Sequence, residues 1–362
     1  MKNISIIGGG VAGLSIAILL HQNDILFDLY ERRNKNGSKG HGFIIPSEGL
    51  KILSEIIDME TLYRKGTILK EYHALNQMGD LLEKKTLENT FVISRRSLTK
   101  LLESNLPLEK IHHNKILETT KSQFEGKSIL HFEDGAIVLP STIIAADGSK
   151  SRIRRKIFPD NELQLTQVNE IVNIIQDAEL SRVIGDKFLK FHHQEGGLAL
   201  GVLKVSETDV LWYVQFDITK FPLTDDSSEG IRQFMSLHFS DWCYPIPYII
   251  NNTAFENAHY WKVYELDELE DYYSGNTVFI GDTAHPLIPF TSQGVTSALK
   301  DAQLLVNLLL EFPNEKEKAF QKYSEIRKEQ MQIHFENGKL LRANFLLPLN
   351  EQQKNIVPIS YK

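Results

Sequence analysis

The chain has 362 residues, too many for one average core and suited to two fused units. Hydrophobic residues make up 42% and charged residues 24%, as in a soluble globular protein. Forty Lys and Arg (40) against 47 Asp and Glu leave a charge of -7, which gives no electrostatic ground for nucleic-acid binding. A single cysteine, Cys243, excludes an intrachain disulfide, a paired-thiol redox centre and a Cys-rich zinc site.

Residues 3–7 (Asn-Ile-Ser-Ile-Ile) read as a short buried strand, β-branched and bounded by glycines. The chain enters it at once, without the pattern of a signal peptide, and no apolar run approaches the roughly 20 residues of a bilayer span. A reducing cytoplasm is the expected compartment. Leu14 to Leu20 carries a helical apolar pattern, and residues 25–30 read as a second strand ending at Glu31, together a unit of βαβ size. Residues 34–42, rich in Gly, Asn, Ser and Lys, read as a loop. Ser94 to Leu106 reads as a helix with Leu98, Leu101 and Leu102 on one face.

Residues 142–147 form another apolar strand, ending in Asp147. The basic run Arg152 to Lys156 is too short and isolated to suggest a nucleic-acid partner. Residues 188–217 alternate and are rich in aromatics, as in an antiparallel sheet with one covered face. Trp212, Val214 and Phe216 share one face of a strand there; Leu211, Tyr213 and Gln215 share the other. Residues 277–281 form a third strand of the first kind. From Gly294 to Glu311 the residues Val295, Ala298, Leu299, Ala302, Leu305, Val306 and Leu309 lie on one helical face. A charged helix follows from Asn314 to about Leu341. Parallel-type elements thus flank antiparallel ones, as in a nucleotide-binding domain with an inserted sheet domain.

Three motifs carry chemistry. In Gly8-Gly9-Gly10-Val11-Ala12-Gly13, Gly8 allows a tight turn, Gly10 admits a pyrophosphate and Gly13 lets helix and strand pack closely. The helix start offers N–H groups to phosphate, and Glu31 is placed for a ribose diol. The other two motifs are Ala145-Ala146-Asp147-Gly148 with its continuation to Arg152, and Gly281-Asp282-Thr283-Ala284-His285-Pro286 followed by Pro289-Phe290-Thr291-Ser292-Gln293-Gly294. Each is a strand end with Asp beside Gly, either an ordinary turn or a carboxylate placed for ligand hydroxyls.

In this order and at these intervals, the three motifs resemble the single-component flavoprotein monooxygenases of the p-hydroxybenzoate hydroxylase fold. The tetracycline-inactivating and salicylate hydroxylase-like branches look closest, and the resemblance runs over roughly residues 1 to 340. It implies a mixed α/β architecture: a discontinuous Rossmann-like FAD-binding domain (1–72, 94–165 and 266–312), a substrate-binding antiparallel sheet domain (73–93 and 166–265) and a C-terminal helical segment (313–362). It assigns Gly8, Gly10, Gly13 and Glu31 to the ADP half of non-covalent FAD, with Ala12 and Arg32 in the same cofactor set. Asp147 and Gly148 support the dinucleotide, and Asp282 binds the ribityl chain. Ile93 to Leu98 resembles an Arg-x-x-Leu helix start, with Arg95 against the flavin and Arg96 on the surface. Gly42 matches the glycine of a loop that reaches the ring. Pro289, Gln293, Gly294 and Val295 face the ring, where the helix start would stabilise negative charge. The chain departs from the family at Ser292, where glycine is usual, and at Thr296, where asparagine is usual. A φ above zero at Ser292 would add strain.

The implied activity is hydroxylation of an aromatic or polycyclic small molecule with NAD(P)H and O2, through a flavin C4a-hydroperoxide. No side chain need act as a catalyst. NAD(P)H docks transiently, since no second glycine-rich motif is present. The alternatives are a flavin dehydrogenase or reductase without oxygen insertion, and a non-catalytic FAD-binding redox module. Trp242 to Pro247 resembles a halogenase signature, but the chain is short for a halogenase and carries the hydroxylase Asp–Gly motif, so the stretch reads as a hydroxylase segment. Tyr213, Gln215, His192 and Phe290 are the substrate-side candidates. The pairs His112-His113 and His192-His193 point opposite ways along a strand, so no metal site is expected. The expected partners are an aromatic substrate and O2, with no nucleic acid and no membrane span, in a monomer or homodimer.

Overall fold

A four-residue strand hides all of its side chains only inside a sheet covered on both faces. Ile4–Ile7 is such a strand in the computed structural model, which describes residues 4–34, 42–122 and 128–353. It pairs in parallel with Phe27–Tyr30 on one side and Thr142–Ala145 on the other, and Thr142–Ala145 pairs in parallel with Thr277–Phe279. Tyr273–Ser274 and Ile111–His112 complete this six-stranded sheet at its two edges. The helices Val11–Gln22, Arg95–Glu103 and Gly294–Glu311 pack with it into one apolar core. The strands predicted around residues 4, 27, 142 and 277 are therefore neighbours despite their distance in sequence. Of the predicted loop 34–42, residues 35–41 lie outside the described residues.

The second sheet has eight strands, in the order His259–Trp261, Val168–Gln176, Asp209–Asp217, Leu198–Lys204, Lys187–His192, Gly66–Asn76, Leu81–Ser94 and Gly42–Ile45. Its pairings are antiparallel except one: Lys187–His192 runs parallel to Gly66–Asn76. The expectation of a wholly antiparallel sheet is corrected there, because the chain reaches Lys187 by a long crossover rather than a hairpin. One face, with Trp212, Val214 and Phe216, packs under the helices Ser228–Phe239 and Ile246–Asn252. The alternation of residues 211–216 assigned these faces correctly.

The C-terminal helix Lys316–Leu346 is longer than expected and is bound to the first core by a buried charge network. Asp301, fully buried on the apolar face of Gly294–Glu311, accepts from Arg327 Nε (2.5 Å) and from the Gly281 N–H (2.6 Å). His285 Nε2 lies 2.8 Å from its other side. Burial alone would raise the Asp301 carboxyl, but His285 and Arg327 outweigh it and hold the group at about 2. His285 thus serves the turn, as a structural role predicts. The network fixes Gly281, and so the start of the third motif, against two helices.

Candidate functional site

The C-terminal ends of the parallel strands set the site. The chain leaves Ile4–Ile7 through Gly8 at φ +112°, and a Cβ there would stand 2.2 Å from the Ala146 carbonyl oxygen. A Cβ on Gly13 would stand 1.9 Å from the Gly8 oxygen, so turn and helix close on each other. Gly10 faces nothing within 4 Å. The helix Val11–Gln22 has no side-chain cap and no acidic residue in its first turn, so its N–H groups and positive end are offered to that open space. Ala12 packs toward Gly281, whose added Cβ would come within 2.9 Å of the Ala12 Cβ.

Glu31 ends the neighbouring strand, with one carboxylate oxygen accepting from Gly9 N–H (2.5 Å) and the other from Arg33 N–H (2.8 Å). Held by two backbone donors, it keeps lone pairs for a diol. A small cleft opens beside it, lined by Gly9, Leu14, Leu29, Arg33, Thr99 and others. Arg32 is exposed next to Glu31. His112 and His113 separate as expected of strand neighbours: His112 meets Asp28 (2.9 Å) and His113 meets Glu103 (2.9 Å).

Two residues outside the predicted set join the other motifs. Thr283 Oγ1 accepts from Gly148 N–H (2.8 Å) and donates to Asp147 Oδ1 (3.4 Å). Arg154, fully buried, donates to the carbonyls of Thr283 (2.9 Å), Asp282 (3.4 Å) and Ser149. Burial pushes the Arg154 pKa down to about 10, with Asp147 opposing. The signal for Arg154 lay in the basic run Arg152 to Lys156, where Arg154 is buried with Ile153 while Arg152, Arg155 and Lys156 face water. Asp147 is also held by Arg152 N–H (2.9 Å), and burial raises its carboxyl against that bond and Ser151.

The Arg95 guanidinium lies 5.7 Å over the Phe43 ring, and its Nε is buried without an acceptor. Burial and then Arg33 lower its pKa, while Asp282 and Glu31 oppose them, so its charge answers to both carboxylates. Gly42 begins the strand beside it; a Cβ there would come within 2.9 Å of Leu211 Cδ2. Asp282 is exposed, yet the protein around it raises its carboxyl by desolvation, with His285 and Arg95 pulling it down. The turn Pro289–Thr291 then leads into Gln293, the N-cap of Gly294–Glu311, which again carries no side-chain cap hydrogen bond. Gly294 faces open space, and Val295 is buried one residue on. The buried hydroxyls of Thr291, Thr296 and Ser297 have no hydrogen-bond partner. Ser292 sits at φ 54°, the left-handed region, so the strain expected of serine is present. Uncapped helix starts, an orphaned guanidinium nitrogen and open glycines fit an anionic dinucleotide.

Of the substrate-side candidates, Tyr213, Gln215 and His192 share the other face of the eight-stranded sheet, and Phe290 reaches it from the Pro289–Thr291 turn. Lys190 Nζ donates to Gln215 Oε1 (2.8 Å), and Gln215 Nε2 donates to Glu170 Oε1 (2.8 Å). The rings of Tyr213, Phe290 and Phe345 stand 6.0, 5.9 and 5.9 Å from that ammonium. Burial raises Glu170 to about 7, Gln215 and Lys190 opposing, and lowers Lys190 to about 8, Glu170 opposing. His192, on the same face, is pushed down to about 3 by burial and by Lys190, and its Nδ1 has no partner. Lys190 and Glu170 were not foreseen, although a lysine between Phe188 and Phe191 in a strand is a visible anomaly. Phe290 belongs to both groups, because its turn also carries the start of Gly294–Glu311.

Residues 1–336 match the model of a family described as the FAD binding domain. The chain is 22% identical to 3-amino-4-hydroxybenzoate 2-monooxygenase of Streptomyces cremeus, over 95% of this chain and 88% of the relative. It is 24% identical to the FAD-dependent urate hydroxylase of Mycolicibacterium vanbaalenii, over 90% and 84%. Klebsiella pneumoniae HpxO, solved with FAD and uric acid, shares the fold with a TM-score of 0.86 at 17% identity, over 98% of this chain and 90% of that one.

Proposed function

The chain belongs to the FAD binding domain family, and we propose that it is an FAD-dependent, NAD(P)H-consuming monooxygenase that hydroxylates an aromatic or polycyclic small molecule. One observation carries the reading: the glycine turn, Glu31, Asp147 and Asp282 all follow the C-terminal ends of neighbouring parallel strands, and the uncapped start of Gly294–Glu311 follows the Phe290 turn. Full-length similarity to named monooxygenases supports it.

FAD bound there would supply the redox chemistry, two-electron uptake from NAD(P)H and transfer of one atom of O2 to the substrate with the other released as water. The chain's own residues bind and orient. The N–H groups opening Val11–Gln22 take the pyrophosphate, which Gly8, Gly10 and Gly13 allow to approach. Glu31 accepts from the ribose hydroxyls, with Arg32 at the rim. Asp147 and Gly148, braced by Thr283, support the middle of the dinucleotide, and Asp282 accepts from the ribityl hydroxyls. Arg95 offers its unpaired Nε, and Gly42 keeps the approach clear. Gln293, Gly294 and Val295 present backbone N–H groups and a positive helix end to negative charge on the ring, beside Pro289. Phe290 and Tyr213 exclude water on the substrate side. The protein acts in the cytoplasm, as a monomer or homodimer.

Purified protein is expected to be yellow, with about one FAD per chain. A screen of aromatic compounds then seeks those that stimulate NAD(P)H oxidation and gain a single ¹⁸O from ¹⁸O2. NAD(P)H oxidation with no label in any product would place the chain among reductases instead.

A further inference from the structure

Strand register brings the sheet-side charges together. Lys190 stands opposite Gly201, and Gly201 opposite Tyr213. One row along, His192, Ala199, Gln215 and Glu170 follow one another across four strands. In these two rows the central strand contributes only Gly201 and Ala199, and Leu203 follows one row further along. A Cβ on Gly201 would come within 2.3 Å of the Tyr213 ring, so that ring lies over the strand at the glycine. Across the low central strand, Lys190 reaches the Gln215 amide.

The arrangement differs from a buried ion pair made for stability. Lys190, Gln215 and Glu170 are 3%, 2% and 6% exposed. Yet the two charges do not touch, because a neutral amide stands between them. Desolvating both ions without direct contact costs more than a close pair recovers, and apolar side chains would hold the sheet at least as well. Lys190 has three donors, and Gln215 Oε1 is its one hydrogen-bond acceptor among the described residues. Three aromatic rings stand around it. His192, held neutral, brings no second cation. One of those rings, Phe290, sits in the turn that leads to Gly294.

Resting on the monooxygenase reading above, we propose that Lys190 selects the substrate: it binds an anionic oxygen, carboxylate or ionised phenol, on an aromatic ring held among Tyr213, Phe290 and Phe345. The anion completes the ammonium's hydrogen bonds, and Gln215 and Glu170 orient the ammonium toward it. The rings that now stand around the charge supply the flat apolar walls for the rest of the molecule.

The test uses FAD-loaded protein and aromatic pairs that differ in one charge: salicylate with salicylamide, and anthranilate with anthranilamide. Binding is read from the perturbation of the flavin absorbance. In the wild type an acid is expected to bind at least tenfold more tightly than its amide. In Lys190→Met with Glu170→Gln, which removes both buried charges together, that ratio is expected to fall to about one. Lys190→Arg is expected to keep a preference for the acid. Equal binding of acid and amide by the wild type, binding of amides alone, or no acid bound at all overturns the proposal while leaving the FAD reading intact. An acid preference that survives in the double variant also overturns it. Protein that cannot be loaded with FAD overturns both.

Discussion

Each half of the molecule buries a carboxylate, and the two are driven in opposite directions. Asp301, under the parallel sheet, touches Arg327 and a backbone N–H and lies beside His285, and it is held at about 2. Glu170, on the long sheet, hydrogen-bonds only the Gln215 amide among the described residues and is raised to about 7. Direct contact with cations overcomes desolvation; a relayed contact does not. The first arrangement clamps helices around the third motif. The second leaves charge uncompensated where a ligand can meet it, which is costly unless something binds there. Burial of a charge is thus no sign of function by itself; the incompleteness of its contacts is.

The sharpest way to break this contrast is to remove Asp301. Asp301→Ala strands Arg327 in the core and is expected to cost about 3–5 kcal/mol, read from the urea midpoint of the FAD-bound protein. The two carboxylates should also give opposite pH slopes. Asp301 has a folded pKa below its unfolded value of about 3.9, so its contribution is present above that value and is lost as pH falls toward 2. Glu170 has a folded pKa above its unfolded value of about 4.3, so stability is lost as pH rises from there through about 7. Glu170→Gln should flatten the neutral limb of the stability profile, and Asp301→Asn the acid limb. Profiles unchanged by either variant would erase the distinction.

The glycines offer a second comparison. Gly13→Ala drives a Cβ against a backbone oxygen that cannot retreat, and is expected to cost about 3 kcal/mol with loss of FAD from the purified protein. Gly201→Ala meets a side-chain ring instead, so it should keep one FAD per chain while weakening aromatic ligands. FAD stoichiometry by absorbance separates the two. Glu31→Ala is expected to weaken FAD by about 1.5–3 kcal/mol, the value of hydrogen bonds to a charged acceptor, without changing which ligands the sheet prefers. An FAD titration checks it. The smallest effect belongs to Ser292, whose left-handed backbone serine tolerates poorly. Ser292→Gly should raise stability by about 1 kcal/mol, seen as a higher melting temperature.

The sequence by itself determined the dinucleotide half. Its chemistry is carried by glycines and strand-end carboxylates, whose positions follow from local turns and from the order of short apolar strands. Gly8, Gly13, Glu31 and the helix Gly294–Glu311 were legible for that reason, and the strain at Ser292 was foreseen as a condition the backbone then met. Asp147 and Asp282 could be read as ordinary turns until Thr283 and Arg154 joined them across more than a hundred residues of chain. The tertiary structure alone decided the long sheet. Its parallel junction at Lys187–His192 depends on a crossover that no local pattern records. Lys190 and Glu170 lie on different strands and meet through Gln215 on a third, with small residues between them. A helix start or a glycine turn is built from consecutive residues, so its signal is local. A cross-strand charge relay exists only once register is set, because register decides which side chains share a face.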